Sequence, residues 1–149
     1  MAKRKETHFI VLHCSATRAD QKVSFEDIKR WHMLERAFMD IGYHWVIERD
    51  GSVKQGRGCE QWGAHCRGHN HESVGICLVG GLNKEGDPED NFTAIQKQML
   101  KLLVTGLQSL YPVAQVKGHN HFNRLKDCPC FDVEQWLAEA SIQTVGAVA

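Results

Sequence analysis

Two stretches, THFIVLHC (Thr7–Cys14) and SVGICLVGG (Ser73–Gly81), are apolar almost from end to end. A strand with one wet face alternates apolar and polar residues. An unbroken apolar run with β-branched residues is a strand covered on both faces. Covered strands need helices beside them, and the chain supplies these. Ser24 with Asp27, and Thr93 with Gln96, have the spacing of capping boxes that open helices. After the first, Phe25, Ile28 and Trp31 share one helical face. After the second, Ile95, Met99, Leu102, Leu103, Leu107 and Leu110 form an apolar stripe that stops at Tyr111-Pro112. Asp132 caps a last helix with Gln135 at its third position, and Phe131 and Trp136 are spaced for a hydrophobic staple. Tyr43–Glu48 and Ser52–Gln55 read as strands joined by a turn at Asp50-Gly51, and Val113–Lys117 reads as a short strand. Strands alternate with helices, so the expected fold is α/β: a central mixed β-sheet flanked by helices. With 149 residues and no linker, repeat or low-complexity segment, the chain reads as one domain, 1–149. Its core is expected over about 7–140, with a small-residue tail frayed beyond Ala140.

Lys+Arg and Asp+Glu both number 18, so the formal net charge is zero. Nucleic-acid binders usually show a basic excess, and none is present. Lys3-Arg4-Lys5 reads as a solvated end. No apolar run is long enough to span a bilayer. The opening MAKRKETHFIVLHC lacks the long apolar core and cleavage site of a signal peptide, so the chain is expected to fold in a reducing cytoplasm. There the six cysteines (Cys14, Cys59, Cys66, Cys77, Cys128 and Cys130) are free thiols or metal ligands rather than disulfides.

GHNHFNRLKDCPCFD (Gly118–Asp132) concentrates the candidate ligands: His119, His121, Cys128 and Cys130, with Lys126 among them. It reads as a loop between a strand and a helix, and such loops present ligands from a rigid scaffold. Zinc is bound by thiolate sulfur and imidazole nitrogen. His13 ends the opening strand, where open sheets commonly place their sites. The paired spacings of zinc fingers are absent. The residues alone therefore leave two readings open: a metal site, or surface histidines and small buried cysteines. Cys14, Cys59 and Cys77 read as core residues, and His8, His32 and His71 as structural or exposed.

VLHCSAT, DIGYHWVIERDGSV, GAHCRGHNHESVGICLVGG and GH…KDCPCFD occur in that order. Together they resemble the type 2 N-acetylmuramoyl-L-alanine amidases, including the small zinc lysozymes of short-tailed phages. Peptidoglycan recognition proteins share that fold. The resemblance runs from about Phe9 to Trp136. It implies one Zn²⁺ held by His13, His119 and Cys128, with Tyr43 and Lys126 beside it as catalytic groups. His65 and Asn70 fall where relatives line the substrate cleft. His121 competes with His119, because the stretch to Cys128 is one residue longer than in the phage relatives. Cys130 stands where relatives carry a small residue such as serine, and reads as a spare thiol. The implied activity is zinc-dependent hydrolysis of the amide between N-acetylmuramic acid and L-alanine in bacterial peptidoglycan. The implied agent is a monomeric phage endolysin, made in the host cytoplasm and acting on the cell wall after release. Two other readings stand beside it. Relatives without the cysteine ligand bind peptidoglycan without cutting it. A cysteine hydrolase would use Cys14 or Cys66 with a neighbouring histidine. Some phage relatives also bind their phage's RNA polymerase.

Overall fold

The computed structural model describes residues 1–143. The first apolar run becomes β1 (Phe9–Cys14), followed by β2 (Thr17–Arg18), α1 (Phe25–Leu34), β3 (Trp45–Ile47) and β4 (Val53–Gln55). The second run becomes β5 (Ser73–Leu78) and, beyond Gly80, β6 (Gly81–Leu82). The chain continues through α2 (Ala94–Leu110), β7 (Gln115–Gly118), α3 (His119–Phe122) and α4 (Val133–Glu139). The central sheet has the order β4-β3-β5-β1-β7, and β2 pairs with β6 apart from it. β3, β5, β1 and β7 are mutually parallel; β4 is antiparallel, the return limb of the β3 hairpin. β1 lies between β5 and β7, and all of β5 and Ile10–Cys14 of β1 are buried. Neither run alternates because neither strand has a wet face.

Helices cover both sides. On one, Ile10, Leu12, Ile76 and Leu78 pack with Leu100 and Val104 of α2 and with Trp136 and Leu137 of α4. On the other, Val46, Cys77 and Val79 pack with Ile28 and Ile41, with Phe25 and Trp31 at the rim. Both capping boxes close, and Asp132 accepts from the Gln135 amide. Caps of this kind contribute about 1 kcal/mol each. Phe131 meets Trp136 edge-on with ring centres 6.2 Å apart.

Three expectations need correction. The buried row of α2 is Gln96, Leu100, Val104 and Leu107, whereas Ile95, Leu102 and Leu110 are exposed. Leucines surround much of this helix, and the residue that marks its inner face is polar. Gln96 Nε2 donates to Ile47 O (3.1 Å) and Val79 O (3.0 Å), and its Oε1 accepts from Thr93 N (2.9 Å). A fully partnered amide belongs inside, although hydropathy alone puts it outside. Secondly, Arg4 is not part of a solvated end. Its Nη1 donates to Gln61 O (2.7 Å), its Nε to Thr7 Oγ1 (3.2 Å) and its backbone N–H to Glu60 O (2.7 Å). Thirdly, packing continues past Ala140, because Ile142 is buried against the α2–α4 side of the core. The remainder of the tail, 144–149, lies outside the described residues.

Candidate metal centre

Strand register builds the site. Leu12 of β1 pairs with Gly118 of β7, so the next residues, His13 and His119, emerge side by side at the C-terminal edge of the sheet. Their ring centres are 4.6 Å apart. The segment that sequence alone reads as a loop starts with the short helix α3, headed by His119. Cys128 returns to the same edge, its carbonyl accepting from Asn120 N at 2.9 Å. The Cys128 sulfur accepts from Cys14 N (3.2 Å) and lies 3.7 Å from His13 Nδ1. One ligand atom from each of His13, His119 and Cys128 lies within 4.8 Å of the other two. Among the described residues no other His, Cys, Asp or Glu set of three converges so closely.

Burial holds His13 well below the ordinary imidazole pKa, and the neighbouring His65 and His119 push the same way. Burial, then the Lys126 charge, lowers His119 as well. Both rings are neutral at neutral pH, with a lone pair to offer. Two neutral imidazoles and one ionisable thiol within a single coordination sphere fit zinc, which takes N and S ligands tetrahedrally and keeps a fourth position open in catalytic sites. His121 stands elsewhere. It is exposed, its ring lies edge-on to Phe122 at 5.0 Å, and with Lys117, Arg124 and Glu134 it lines a cleft of about 670 Å³ that touches none of His13, His119 and Cys128. Cys130 is also outside the group, its sulfur 3.6 Å from that of Cys14.

The other predicted residues surround this group unequally. Tyr43 is half-buried, its ring centre 5.1 Å from that of His13. Burial, reinforced by the Cys77 thiol, raises its phenol well above the usual value, so it keeps its proton. Lys126 is exposed, on a turn closed by its backbone N–H to Asn123 O (3.0 Å), and its charge is felt at His119. Asn70 Oδ1 accepts from the backbone of His65 (2.9 Å) and Cys66 (3.0 Å). His65 places Nδ1 2.8 Å from His13 Nε2 and Nε2 3.2 Å from Ser73 Oγ. Ser73 escaped the sequence reading, which took it only as the first residue of an apolar strand. The available signal was a hydroxyl on a strand covered on both faces. The cysteine-hydrolase reading loses ground here. The Cys14 thiol is pushed up to about 12, chiefly by hydrogen bonding with Cys128, and burial pushes Cys66 up to about 11. Neither is a ready thiolate.

Residues 3–131 match the family described as N-acetylmuramoyl-L-alanine amidase. The chain belongs to that family. It is an amidase, and peptidoglycan is the family's substrate. It is 43% identical over 142 residues to an endolysin of Klebsiella phage KP32, covering 95% of this chain and 93% of the relative. An endolysin of Escherichia phage T7 is 40% identical over 142 residues, with the same 95% and 93% coverage. Among solved structures, the N-acetylmuramoyl-L-alanine amidase LysC from Clostridium intestinale superposes with a TM-score of 0.78 at 26% identity, covering 93% of this chain and 87% of that one. The Ph2119 endolysin of a Thermus scotoductus bacteriophage gives a TM-score of 0.78 at 28% identity, with coverage of 95% and 90%. The α/β sheet expected from the amidase resemblance is the architecture these proteins share.

Proposed function

We propose that this chain, as the endolysin of a phage, uses one zinc ion held by His13, His119 and Cys128 to hydrolyse the amide between N-acetylmuramic acid and L-alanine. The observation that carries this reading is the convergence of those three ligand atoms within 4.8 Å at the sheet edge of an amidase-family chain. The chemistry a zinc ion supplies there is Lewis-acid activation of a water and of the scissile carbonyl. The protein's own groups do the rest. His13 and His119, neutral through burial, turn lone pairs to the site. Cys128 supplies a thiolate, with the Cys14 N–H directed at its sulfur. Tyr43, a phenol that keeps its proton, donates a hydrogen bond to the attacking water or to the tetrahedral oxygen. Lys126 stabilises negative charge growing on the carbonyl oxygen; such a donor is commonly worth about 3 kcal/mol of barrier. Asn70 offers substrate its amide nitrogen, because its oxygen is already bonded to backbone. His65 has both ring nitrogens engaged within the protein, toward His13 and Ser73.

The reading includes a monomer that reaches the wall from the host cytoplasm. No helix among the described residues is long and apolar enough to cross a membrane. A phage RNA polymerase as second partner is supported only by the phage origin of the similar chains. The alternative is a non-cutting peptidoglycan binder, against which Cys128 stands in place beside His13. Purified protein on isolated cell walls should release stem peptides with free L-alanine amino termini, stop in chelator and resume with added zinc. Release that continues in chelator would reject the zinc; wall binding without release would make the chain a binding module.

A further inference from the structure

A neutral imidazole carries its proton on either nitrogen, and His13 can act as a ligand only through the bare one. The protein determines which that is. Ser73 Oγ lies 2.8 Å from His69 O. A carbonyl cannot donate, so the hydroxyl proton is directed there. The same Oγ lies 3.2 Å from His65 Nε2. With its proton committed, the hydroxyl accepts, and His65 carries its proton on Nε2. His65 Nδ1 is then bare and accepts from His13 Nε2, 2.8 Å away. His13 is left with Nδ1 unprotonated, on the side where the Cys128 sulfur lies 3.7 Å away. A single backbone carbonyl orders the whole series.

The series has little room to slip. Ser73 is fully buried and His13 almost so. The His65 ring lies flat against glycine backbone: a Cβ at Gly75 would sit 2.6 Å from its Cγ, and one at Gly63 would sit 2.5 Å from its Cδ2. Its own backbone is pinned by Asn70 Oδ1. No side chain larger than hydrogen fits at either glycine, so both positions keep the ring seated between His13 and Ser73.

We propose that His65 and Ser73 are positioning residues that fix His13 in its Nε2–H form and thereby set metal affinity. This rests on the zinc reading above, and the test separates the two. Asparagine puts an amide oxygen where Nδ1 stood, so His65→Asn keeps the acceptor for His13. Glutamine reaches toward Ser73 but leaves the Nδ1 position empty. Zinc affinity, measured by competition with a chromophoric chelator, should fall roughly 10–100-fold in His65→Gln and His65→Ala, the usual effect of losing a ligand's hydrogen-bond partner. His65→Asn should rescue most of that loss, which a merely structural role for the ring would not allow. Long-range ¹H–¹⁵N correlation on metal-free wild-type protein should show His13 protonated at Nε2, and Ser73→Ala should weaken that preference. Wild-type protein that binds no zinc would sink the zinc reading and with it the effect on affinity, and the tautomer spectrum would still decide whether His65 and Ser73 fix His13. Equal affinity across the His65 variants, or a wild-type His13 protonated at Nδ1, overturns the inference.

Discussion

Replacing Gln96 with methionine should destabilise the protein by about 3 kcal/mol, although the side chain keeps its length and nearly its volume. Gln96 is fully buried, and its amide makes three hydrogen bonds of 3.1 Å or less, to Ile47 O (3.1 Å), to Val79 O (3.0 Å) and from Thr93 N (2.9 Å), beside a long contact with Thr93 Oγ1 (3.4 Å), whose proton goes to Arg49 O (2.8 Å). The two carbonyls keep other donors, Val79 N–H for Ile47 O (3.0 Å) and Arg49 Nη1 for Val79 O (3.3 Å). Thr93 N–H loses its acceptor at the start of α2. Three bonds at roughly 1 kcal/mol each give the total. Methionine fills the space, so no large cavity cost is added. Urea unfolding followed by circular dichroism would measure it. Both proteins should be kept metal-free, because a bound ion stabilises the folded state on its own. With a slope of about 2 kcal/mol/M, the midpoint should fall by about 1.5 M at unchanged slope. A shift under about 0.5 M would mean that the amide contributes little, and that something else sets the inner face of α2.

Three further changes address the site and its surroundings. Cys128→Ser should lose most bound zinc by elemental analysis and all lysis, since a neutral hydroxyl replaces a thiolate poorly; retained zinc would move the sulfur ligand to Cys130. Lys126→Ala should keep zinc yet turn over roughly 10²–10³-fold more slowly, and lysis at the normal rate would remove the role given to the lysine. Glu72→Gln tests a surface cluster in which Glu72 accepts from His8 (3.0 Å) and His69 (2.8 Å). The bond to Glu72 raises His8 above 6.5, and the bonds to His8 and His69 lower Glu72 below 4.5. The His8 contribution is complete below 6.5 and is lost as pH rises through its raised value. The Glu72 contribution is complete above 4.5 and is lost as pH falls through its lowered value. The stability gap between wild type and variant should therefore be widest between these limits and narrow as pH rises through the raised His8 value; a gap that does not narrow would contradict the linkage.

What could be read in the sequence was what depends on local pattern. β1 and β5 were legible because strands covered on both faces write continuous apolar runs, and the helix starts because capping boxes are four-residue events. α2's inner face was misread where a buried polar side chain breaks the hydropathy pattern. Arg4 was misread because its partners, Glu60 and Gln61, are remote in sequence. The ligand candidates were identifiable by motif, but their convergence depends on strand register, which places Leu12 opposite Gly118. The His13–His65–Ser73 series was invisible for the same reason. His13 and His65 are 52 residues apart, and no spacing rule relates a strand end to a distant loop.

The pairing of β1 with β7 also bears on timing. His13 ends β1, but the strand beside it is residues 115–118, and Cys128 follows His13 by 115 residues. A nascent chain on the ribosome must therefore extend through Cys128 before the three side chains can meet. Contacts so distant along the chain also form late in folding. Synthesis past Cys128 is thus the earliest point at which the proposed centre can form, and fragments that stop before it lack one of its three residues.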